Sequence, residues 1–282
     1  MTRHEVTVEV LGPWTLETGK RFWEGFAPAA LPVRDDPGEL RTTFRVEGDW
    51  SRAEVVVTQQ DAAARIVVTG DGDLGRAAAQ AGRFLSLDVD ARGWPGLARR
   101  DPVLADAQAR WPGLRPCGFH SPYEAAVWAV LSQRVQIAQA ARLREDLISR
   151  HGEDGALPAP HRLRAVELDL PGRKAEYLHA VAEATLDGLL TTESLRAEEA
   201  GEAVRRVQQV KGLGPFAAEL VVLRGANAPD AVPAHERRLA QEVAHRYGAG
   251  RTLAEVSEAW RPFRTWAAVH LRILREERTH AR

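Results

Sequence analysis

The N-terminal part of the chain alternates apolar and polar residues with a period of two. Successive side chains of a β-strand point to opposite faces, so this alternation predicts strands with one buried face. The runs with this pattern are His4 to Val10, Leu40 to Val46, Glu54 to Thr58 and Ala64 to Thr69. Together they predict a small antiparallel sheet.

Two helices are expected beside this sheet. The aromatic residues Phe22, Trp23 and Phe26 favour a short amphipathic helix, and a longer apolar face runs from Leu74 to Leu87. The pattern therefore predicts an α+β domain over residues 1–88. Scaffolding is the simplest role for such a domain.

Helical periodicity replaces the alternation from about residue 89 onward. The pairs Asp101-Pro102 and Ser121-Pro122 each combine a capping side chain with a proline, as at the start of a helix. The helix after Ser121 has a stripe of apolar residues that includes Tyr123 and Val127. We therefore expect residues 89–282 to be all-helical.

A helical hairpin is predicted within residues 201–225. The valines of its first helix recur at helical spacing and end at Val210. Gly212 and Gly214 then allow a tight reversal with positive φ, and Pro215 begins the second helix. Such a hairpin leaves backbone N–H groups unpaired, and phosphate oxygens are suitable acceptors for them. The alternative is an ordinary α-hairpin with a glycine C-cap.

The composition changes this picture in only a few ways. The 282 residues are 44% apolar and 27% charged, as in a soluble globular protein. Neither a signal peptide nor a membrane span is visible, so we expect a cytoplasmic location and no membrane partner. The formal net charge of −1 weighs against nucleic-acid binding unless the arginines are segregated. Cys117 is the only cysteine, so neither an internal disulfide nor a thiolate metal site is expected.

The residues after the hairpin carry a family resemblance. Leu223-Arg224-Gly225 ends the apolar helix, Asp230 follows in a polar loop, and Pro233 precedes another helix. With the hairpin and the closing run Trp260 to Arg264, this pattern resembles the helix-hairpin-helix DNA glycosylase superfamily, and especially bacterial 3-methyladenine DNA glycosylase II. The resemblance covers about residues 110–272.

The resemblance implies a fold, an activity and a partner. The expected fold class is α+β, with a small N-terminal antiparallel-sheet domain followed by an all-helical glycosylase-like region around a cleft. The expected activity is hydrolysis of the N-glycosidic bond of alkylated or otherwise damaged purines in base excision repair. The expected partner is double-stranded DNA with a flipped damaged base, which a monomer binds without a cofactor.

The same resemblance assigns two segments to DNA binding. Gly212 and Gly214 are expected to meet phosphates, and the neighbouring Lys211 is expected either to meet a phosphate or to cap a helix. In the turn after the helix at residue 131, Gln133 matches the family's turn glutamine. Arg134 lies where relatives insert a side chain beside the extruded nucleotide, so it is a candidate wedge. The alternative is that Gln133 and Arg134 only cap an interhelical turn.

The catalytic carboxylate of the family matches one of two residues here. The count from the hairpin, or back from the following helix, gives Glu236, whereas the count from Pro233 gives His235. We favour Glu236, although relatives use aspartate. The extra methylene moves the carboxylate by about an ångström, which can cost on the order of a hundredfold in rate. The alternative is that Glu236 only caps the helix beginning at Arg237.

The resemblance also implies a pocket for the damaged base. Phe216 occupies the position of the Schiff-base lysine of bifunctional relatives, so a monofunctional hydrolase is expected. Arg272 stands where the branch usually has a tryptophan that stacks on the base. Trp128, Tyr123 and Trp266 are candidate replacements, although residues on apolar helix faces more often belong to the core.

Two other functions compete with the glycosylase interpretation. The residues at positions 236 and 272 also fit a DNA-binding protein that has lost catalysis. The net charge fits a helical scaffold unrelated to DNA. The glycosylase interpretation requires the hairpin glycines and Glu236 to lie at the rim of the same cleft.

Overall fold

The computed structural model of the protein describes residues 1–24, 36 and 38–280. Its N-terminal part contains an antiparallel sheet in which the strands follow the order β1-β4-β3-β2. The strands are β1 (Thr2–Glu9), β2 (Glu39–Arg45), β3 (Arg52–Gln60) and β4 (Ala63–Gly70). The alternating pattern thus predicted each of these strands, and the expected α+β fold class is confirmed.

Two helices cover one face of the sheet, α1 (Leu16–Glu24) and α2 (Leu74–Phe84). Trp23 of α1 packs edge-on against Phe84 of α2, with ring centroids 4.6 Å apart. The helix α2 is shorter than predicted because Ser86 adopts a φ of +55°, which a helix does not accommodate. Phe26, which was expected to continue α1, lies outside the described residues.

The remainder of the described chain is helical, as the periodicity predicted. The helices are α3 (Trp94–Ala98), α4 (Pro102–Arg110), α5 (Pro122–Leu131), α6 (Ile137–His151), α7 (Pro160–Ala165), α8 (Lys174–Leu186), α9 (Thr192–Arg196), α10 (Ala200–Val207), α11 (Pro215–Leu220), α12 (Arg237–Tyr247), α13 (Leu253–Ser257) and α14 (Arg264–His280). A π-helical turn, Val221–Gly225, continues α11, and a 3₁₀ turn, Glu258–Trp260, follows α13. No helix in the described part of the chain is long and apolar enough to cross a membrane.

The helical region has separate hydrophobic cores on its two sides. One core surrounds α5, all of whose residues are buried, and includes the hairpin helices α10 and α11. The other joins α3 and α4 to α12, α13 and α14. A Cβ at Gly225 would lie only 2.8 Å from the Cα of Pro122, so the π-helical turn packs directly against α5. The hairpin is therefore fixed to the centre of its core.

Buried polar contacts fix the N-terminal domain to the helical region. The carboxylate of Glu47 accepts hydrogen bonds from the amide and hydroxyl of Thr192, both 2.7 Å long. Further along the boundary, the ring nitrogens of His120 contact Thr42 at 2.8 Å and Glu124 at 2.9 Å. Buried polar groups need such partners, and the Glu47–Thr192 and Thr42–His120 bonds are made only when the two parts are docked. The N-terminal domain therefore has a defined position beside the helices.

Candidate DNA-binding and catalytic site

The hairpin between α10 and α11 depends on Gly212. Its φ is +93°, and a Cβ at this position would lie 2.4 Å from Cγ of Tyr177. Only glycine fits both the left-handed backbone and this close approach. Gly214 differs, because its φ of −77° and ψ of −179° suit any residue and its Cβ position has no atom within 4 Å. The expectation of positive φ is thus confirmed at Gly212 and wrong at Gly214.

The hairpin presents several backbone donors that are not used by the protein. Among the described residues, no acceptor bonds the amide N–H groups of Gly212, Gly214, Phe216 or Ala217. The amide of Leu213 is different, since it donates to the carbonyl of Val210 over 3.0 Å. Free amides grouped at a tight turn form a donor site that suits an anionic oxygen.

Lys211 lies next to these donors and is already paired. Its ammonium group contacts the carboxylate of Glu176 on α8. The same carboxylate binds Arg173, whose Nε lies 2.6 Å from Oε2. Hydrogen bonds from Arg173 and Lys211 lower the pKa of Glu176 to about 2. Because these side chains are exposed, Lys211 can exchange this partner for a phosphate at little cost.

The turn between α5 and α6 meets the hairpin directly. Nε2 of Gln133 donates to the carbonyl of Gly212 over 2.6 Å. Below it, Nζ of the buried Lys174 donates to the carbonyls of Val130 and Gln133 over 2.8 and 2.9 Å, and burial lowers the pKa of this lysine. The structure therefore gives Gln133 a contact with the hairpin, and Lys174 supports the turn from below.

Arg134 is the exposed tip of this turn. It has a φ of +55°, which is uncommon for a residue other than glycine. Its guanidinium has no hydrogen bond or ion pair in the described part of the chain. Two large apolar side chains are also exposed on these segments, Ile137 at 51% and Phe216 at 54%. Phe216 is thus accessible, as a residue that contacts a base must be.

A buried carboxylate ties the loop before α12 to the hairpin. The side chain of Glu219 on α11 is 8% exposed. Its carboxylate accepts hydrogen bonds from the amides of Ala234 and His235, each 3.0 Å long. Nδ1 of His235 also lies 2.7 Å from Oε1 of Glu219, while the His235 side chain is half exposed. An acidic residue within the otherwise apolar α11 was the only sequence signal for this role.

Glu236 occupies the N-cap position of α12 but does not cap it, because its side chain bonds no backbone amide there. Its Oε1 instead lies 2.5 Å from Nε of Arg272 on α14. Burial raises the pKa of Glu236, and the guanidinium groups of Arg272 and Arg224 oppose that rise. The interpretation of Glu236 as a simple helix cap is therefore wrong.

Arg272 and Arg224 place two guanidinium groups around this carboxylate. Nη2 of Arg272 binds Glu276 over 3.0 Å, whereas its Nη1 is buried and has no acceptor within the described chain. Arg224 is partly buried, donates to the carbonyl of Cys117 over 2.6 Å, and has its Cζ 5.9 Å from the ring centre of Phe22. Phe22 belongs to α1, so the N-terminal domain reaches the site, which its predicted scaffolding role did not include.

The tryptophan and tyrosine candidates for the base pocket are core residues. Tyr123 is fully buried, and its hydroxyl donates to the carbonyl of Pro158 over 2.7 Å. Trp128, on the same helix, is 4% exposed. Trp266 is 1% exposed and packs against Trp94, with ring centroids 5.7 Å apart. The prediction that these three side chains line a pocket is wrong for this conformation, because α5 is surrounded on all sides and Trp266 points into the core around α14.

Asp230, the other carboxylate of this loop, has a structural role. Oδ1 of Asp230 lies 2.8 Å from Nε of Arg264, and its Oδ2 lies 3.3 Å from Nη1 of Arg261. These contacts hold the loop to the beginning of α14. Glu236 is therefore the carboxylate of this loop that remains beside the hairpin and the two arginines.

No family model matches the chain. It is 31% identical over 163 residues to DNA-3-methyladenine glycosylase 1 of Schizosaccharomyces pombe, a match that covers 53% of this chain and 71% of the relative. It is 29% identical over 260 residues to a probable bifunctional transcriptional activator/DNA repair enzyme AlkA of Mycobacterium tuberculosis, covering 86% of this chain and 51% of the relative. The chain thus spans about half the length of the mycobacterial protein.

Solved structures share the fold. A 3-methyladenine DNA-glycosylase from Archaeoglobus fulgidus superposes with a TM-score of 0.74 at 19% identity, and the match covers 98% of both chains. The Schizosaccharomyces pombe 3-methyladenine DNA glycosylase in complex with abasic DNA gives a TM-score of 0.53 at 25% identity, over 62% of this chain and 92% of that one. The chain therefore shares the fold of the first structure over nearly its whole length and that of the second over 62% of its residues.

Proposed function

The chain belongs to the DNA-3-methyladenine glycosylase family of helix-hairpin-helix proteins, and we propose on this premise that it hydrolyses the N-glycosidic bond of damaged purines in DNA. Its partner is double-stranded DNA whose damaged base is flipped out of the helix. It acts as a cytoplasmic monomer, without a cofactor, in base excision repair. The family resemblance of the sequence is confirmed by these relatives.

One observation carries this proposal: Glu219 of the hairpin helix holds the loop that ends in Glu236. A DNA-anchoring element and a partly buried carboxylate are thereby fixed to each other. Departure of a base leaves positive charge on the sugar, and a preorganised carboxylate near that carbon stabilises it. Such fixed geometry is what separates catalysis from binding alone.

The remaining groups supply anchorage and base extrusion. The free amides at Gly212, Gly214 and the start of α11 donate hydrogen bonds to phosphate oxygens of the DNA backbone. Arg134, exposed at the tip of its turn, fills the space that the flipped nucleotide leaves and stacks on the neighbouring bases. Gln133 keeps this wedge in register with the hairpin through its bond to Gly212.

Water is the nucleophile in this proposal. The position of the Schiff-base lysine in bifunctional relatives is Phe216 here, so no amine attacks the sugar from this position. The C1′–N bond breaks with its electron pair going to the base. Water then adds its oxygen to C1′ and gives up a proton, for which the Glu236 carboxylate is the nearby base.

A DNA-binding protein without catalysis is the second candidate, and the Glu236–Arg272 ion pair favours it. A guanidinium 2.5 Å from the carboxylate partly cancels the charge that would stabilise the sugar cation. This candidate predicts normal DNA affinity together with no base release. The hairpin and wedge would then serve damage recognition only.

The decisive experiment incubates the protein with duplexes containing 3-methyladenine, 7-methylguanine, hypoxanthine or ethenoadenine, and then cleaves abasic sites with alkali. Strand cleavage that depends on both the lesion and the protein supports the glycosylase. Binding to these duplexes without cleavage of any of them supports the second candidate. Failure to bind any of these duplexes at low salt would contradict both candidates.

A further inference from the structure

Arg272 is the feature of the site that the proposed function does not use. We propose that Arg272 makes this site selective for neutral purine lesions, because its guanidinium stabilises the negative charge that a neutral base acquires as it leaves. This inference rests on the proposed function and names the chemical class of its substrate. Purines alkylated at N3 or N7, which carry a positive charge in DNA, are the disfavoured class.

The position of Arg272 follows from its bond to Glu236. Its Nε lies 2.5 Å from the carboxylate that faces the reacting sugar carbon in the proposed reaction. Reacting atoms approach to about 3–3.5 Å, and the base is bonded directly to that carbon. The guanidinium is therefore within a few ångströms of the base in any productive complex.

Arg272 also has hydrogen-bonding capacity to spare. Its Nε and Nη2 are engaged by Glu236 and Glu276, while Nη1 is buried without an acceptor in the described part of the chain. A buried donor without a partner is unfavourable, and an acceptor atom on an inserted base would satisfy it. Carbonyl and ring-nitrogen acceptors, as in hypoxanthine, provide such an atom.

The electron balance of the reaction explains the selectivity. When the C1′–N9 bond breaks, the bonding pair stays on the base, so a neutral purine departs as an anion and a cationic one departs neutral. Water supplies the oxygen that bonds to C1′, and its proton goes to Glu236. The guanidinium of Arg272 stabilises the anionic leaving group of a neutral purine. A cationic purine leaves as a neutral base and develops no negative charge for Arg272 to stabilise.

A cationic base faces the opposite effect before the bond breaks. Arg272 and the partly buried Arg224 bring two positive charges to the site, and the carboxylates of Glu236 and Glu276, which both pair with Arg272, offset them in part. Two like charges roughly 5 Å apart at an effective dielectric constant of about 20 correspond to on the order of a hundredfold in affinity. Replacing Arg272 by an uncharged residue should therefore slow release of neutral bases and speed release of cationic bases.

The test measures single-turnover base release from duplexes containing hypoxanthine, which is neutral, or 7-methylguanine, which is cationic. Each rate is divided by its uncatalysed rate. We expect the enhancement to be at least about tenfold greater for hypoxanthine. An enhancement that is equal for both bases, or greater for 7-methylguanine, overturns the selectivity while leaving the proposed function intact. Release of neither base overturns the inference, and release of none of the four lesions named above refutes the proposed function as well.

Variants locate the effect in Arg272. Arg272→Met should lower the ratio of the two enhancements by on the order of a hundredfold, whereas Arg272→Lys, which keeps the charge, should retain part of it. Arg275→Met is the matched control, because Arg275 lies on the same helix and bonds Gln241. A ratio unchanged in Arg272→Met overturns the inference, even if both rates fall together through loss of support for Glu236.

Discussion

The two hairpin glycines have different environments, and alanine at each should separate folding from DNA binding. Gly212→Ala puts an alanine at a position whose φ is +93°, and its Cβ would lie 2.4 Å from Cγ of Tyr177. Left-handed backbone costs about 1–2 kcal/mol for a residue other than glycine. Displacing a packed ring adds roughly 1–3 kcal/mol. We expect Gly212→Ala to lower the free energy of unfolding by about 2–5 kcal/mol as the sum of these effects.

Gly214→Ala should leave the fold intact. Its backbone is extended and its Cβ position is empty to 4 Å, so the change in unfolding free energy should stay within about 1 kcal/mol. The new methyl group would lie among the free amides of the hairpin. Loss of one hydrogen bond to a charged phosphate is worth about 1.5–3 kcal/mol, so DNA affinity should fall at least about tenfold.

Chemical denaturation gives the stability of both variants, and fluorescence anisotropy with a short duplex gives their affinity. Gly188→Ala is the control for backbone strain alone, because Gly188 also has a positive φ, of +80°, but no atom within 4 Å of its Cβ position. It should cost less stability than Gly212→Ala. Gly214→Ala with unchanged DNA affinity would refute the role given to the hairpin amides.

Three further outcomes follow from the site. Lys174→Met should cost about 1–3 kcal/mol by leaving buried carbonyls without a donor, and should weaken DNA binding through the Gln133 turn; normal affinity would contradict this. Glu219→Gln should slow base release with little change in affinity, because it loosens the loop around His235; an equal fall in affinity would count against it. Burial raises the pKa of Glu236, and its carboxylate is the active form, so base release should be lost as the pH falls through a value above that of an ordinary glutamate; a midpoint at or below the ordinary glutamate pKa of about 4.3 would oppose this.

Local sequence patterns predicted much of the fold. Period-two alternation located the strands, and glycine and proline located the hairpin, because both signals reflect backbone geometry within a few residues. The counts from the hairpin and from the following helix placed Glu236 in the loop that the structure ties to Glu219. These features were predictable because they depend on residues that are close together in the sequence.

Contacts between distant segments were the part that escaped prediction. The pairing of Glu236 with Arg272 is set by how α14 packs beside α12, and nothing in the sequence near either residue signals it. Trp128 and Tyr123 were candidates for a pocket because an aromatic residue on a helix suits either a core or a ligand. The structure decides for the core, since α5 is enclosed on every face.

The register of the catalytic loop is a related case. His235 and Glu236 were both candidates, and the structure gives each a distinct environment. His235 is held by Glu219 and half exposed, whereas Glu236 is more buried and faces two guanidinium groups. Replacing each in turn therefore compares two neighbouring side chains under the same loop geometry.

The most direct test of the account is single-turnover base release by Glu236→Gln, measured beside the DNA affinity of the same variant. Loss of the carboxylate charge should slow release by on the order of a hundredfold or more. Affinity should stay equal or become tighter, because a negative charge near phosphates has been removed. His235→Ala should retain most of its release. Release by Glu236→Gln at the wild-type rate, or abolished release in His235→Ala alone, would contradict the assignment of Glu236 as the catalytic carboxylate.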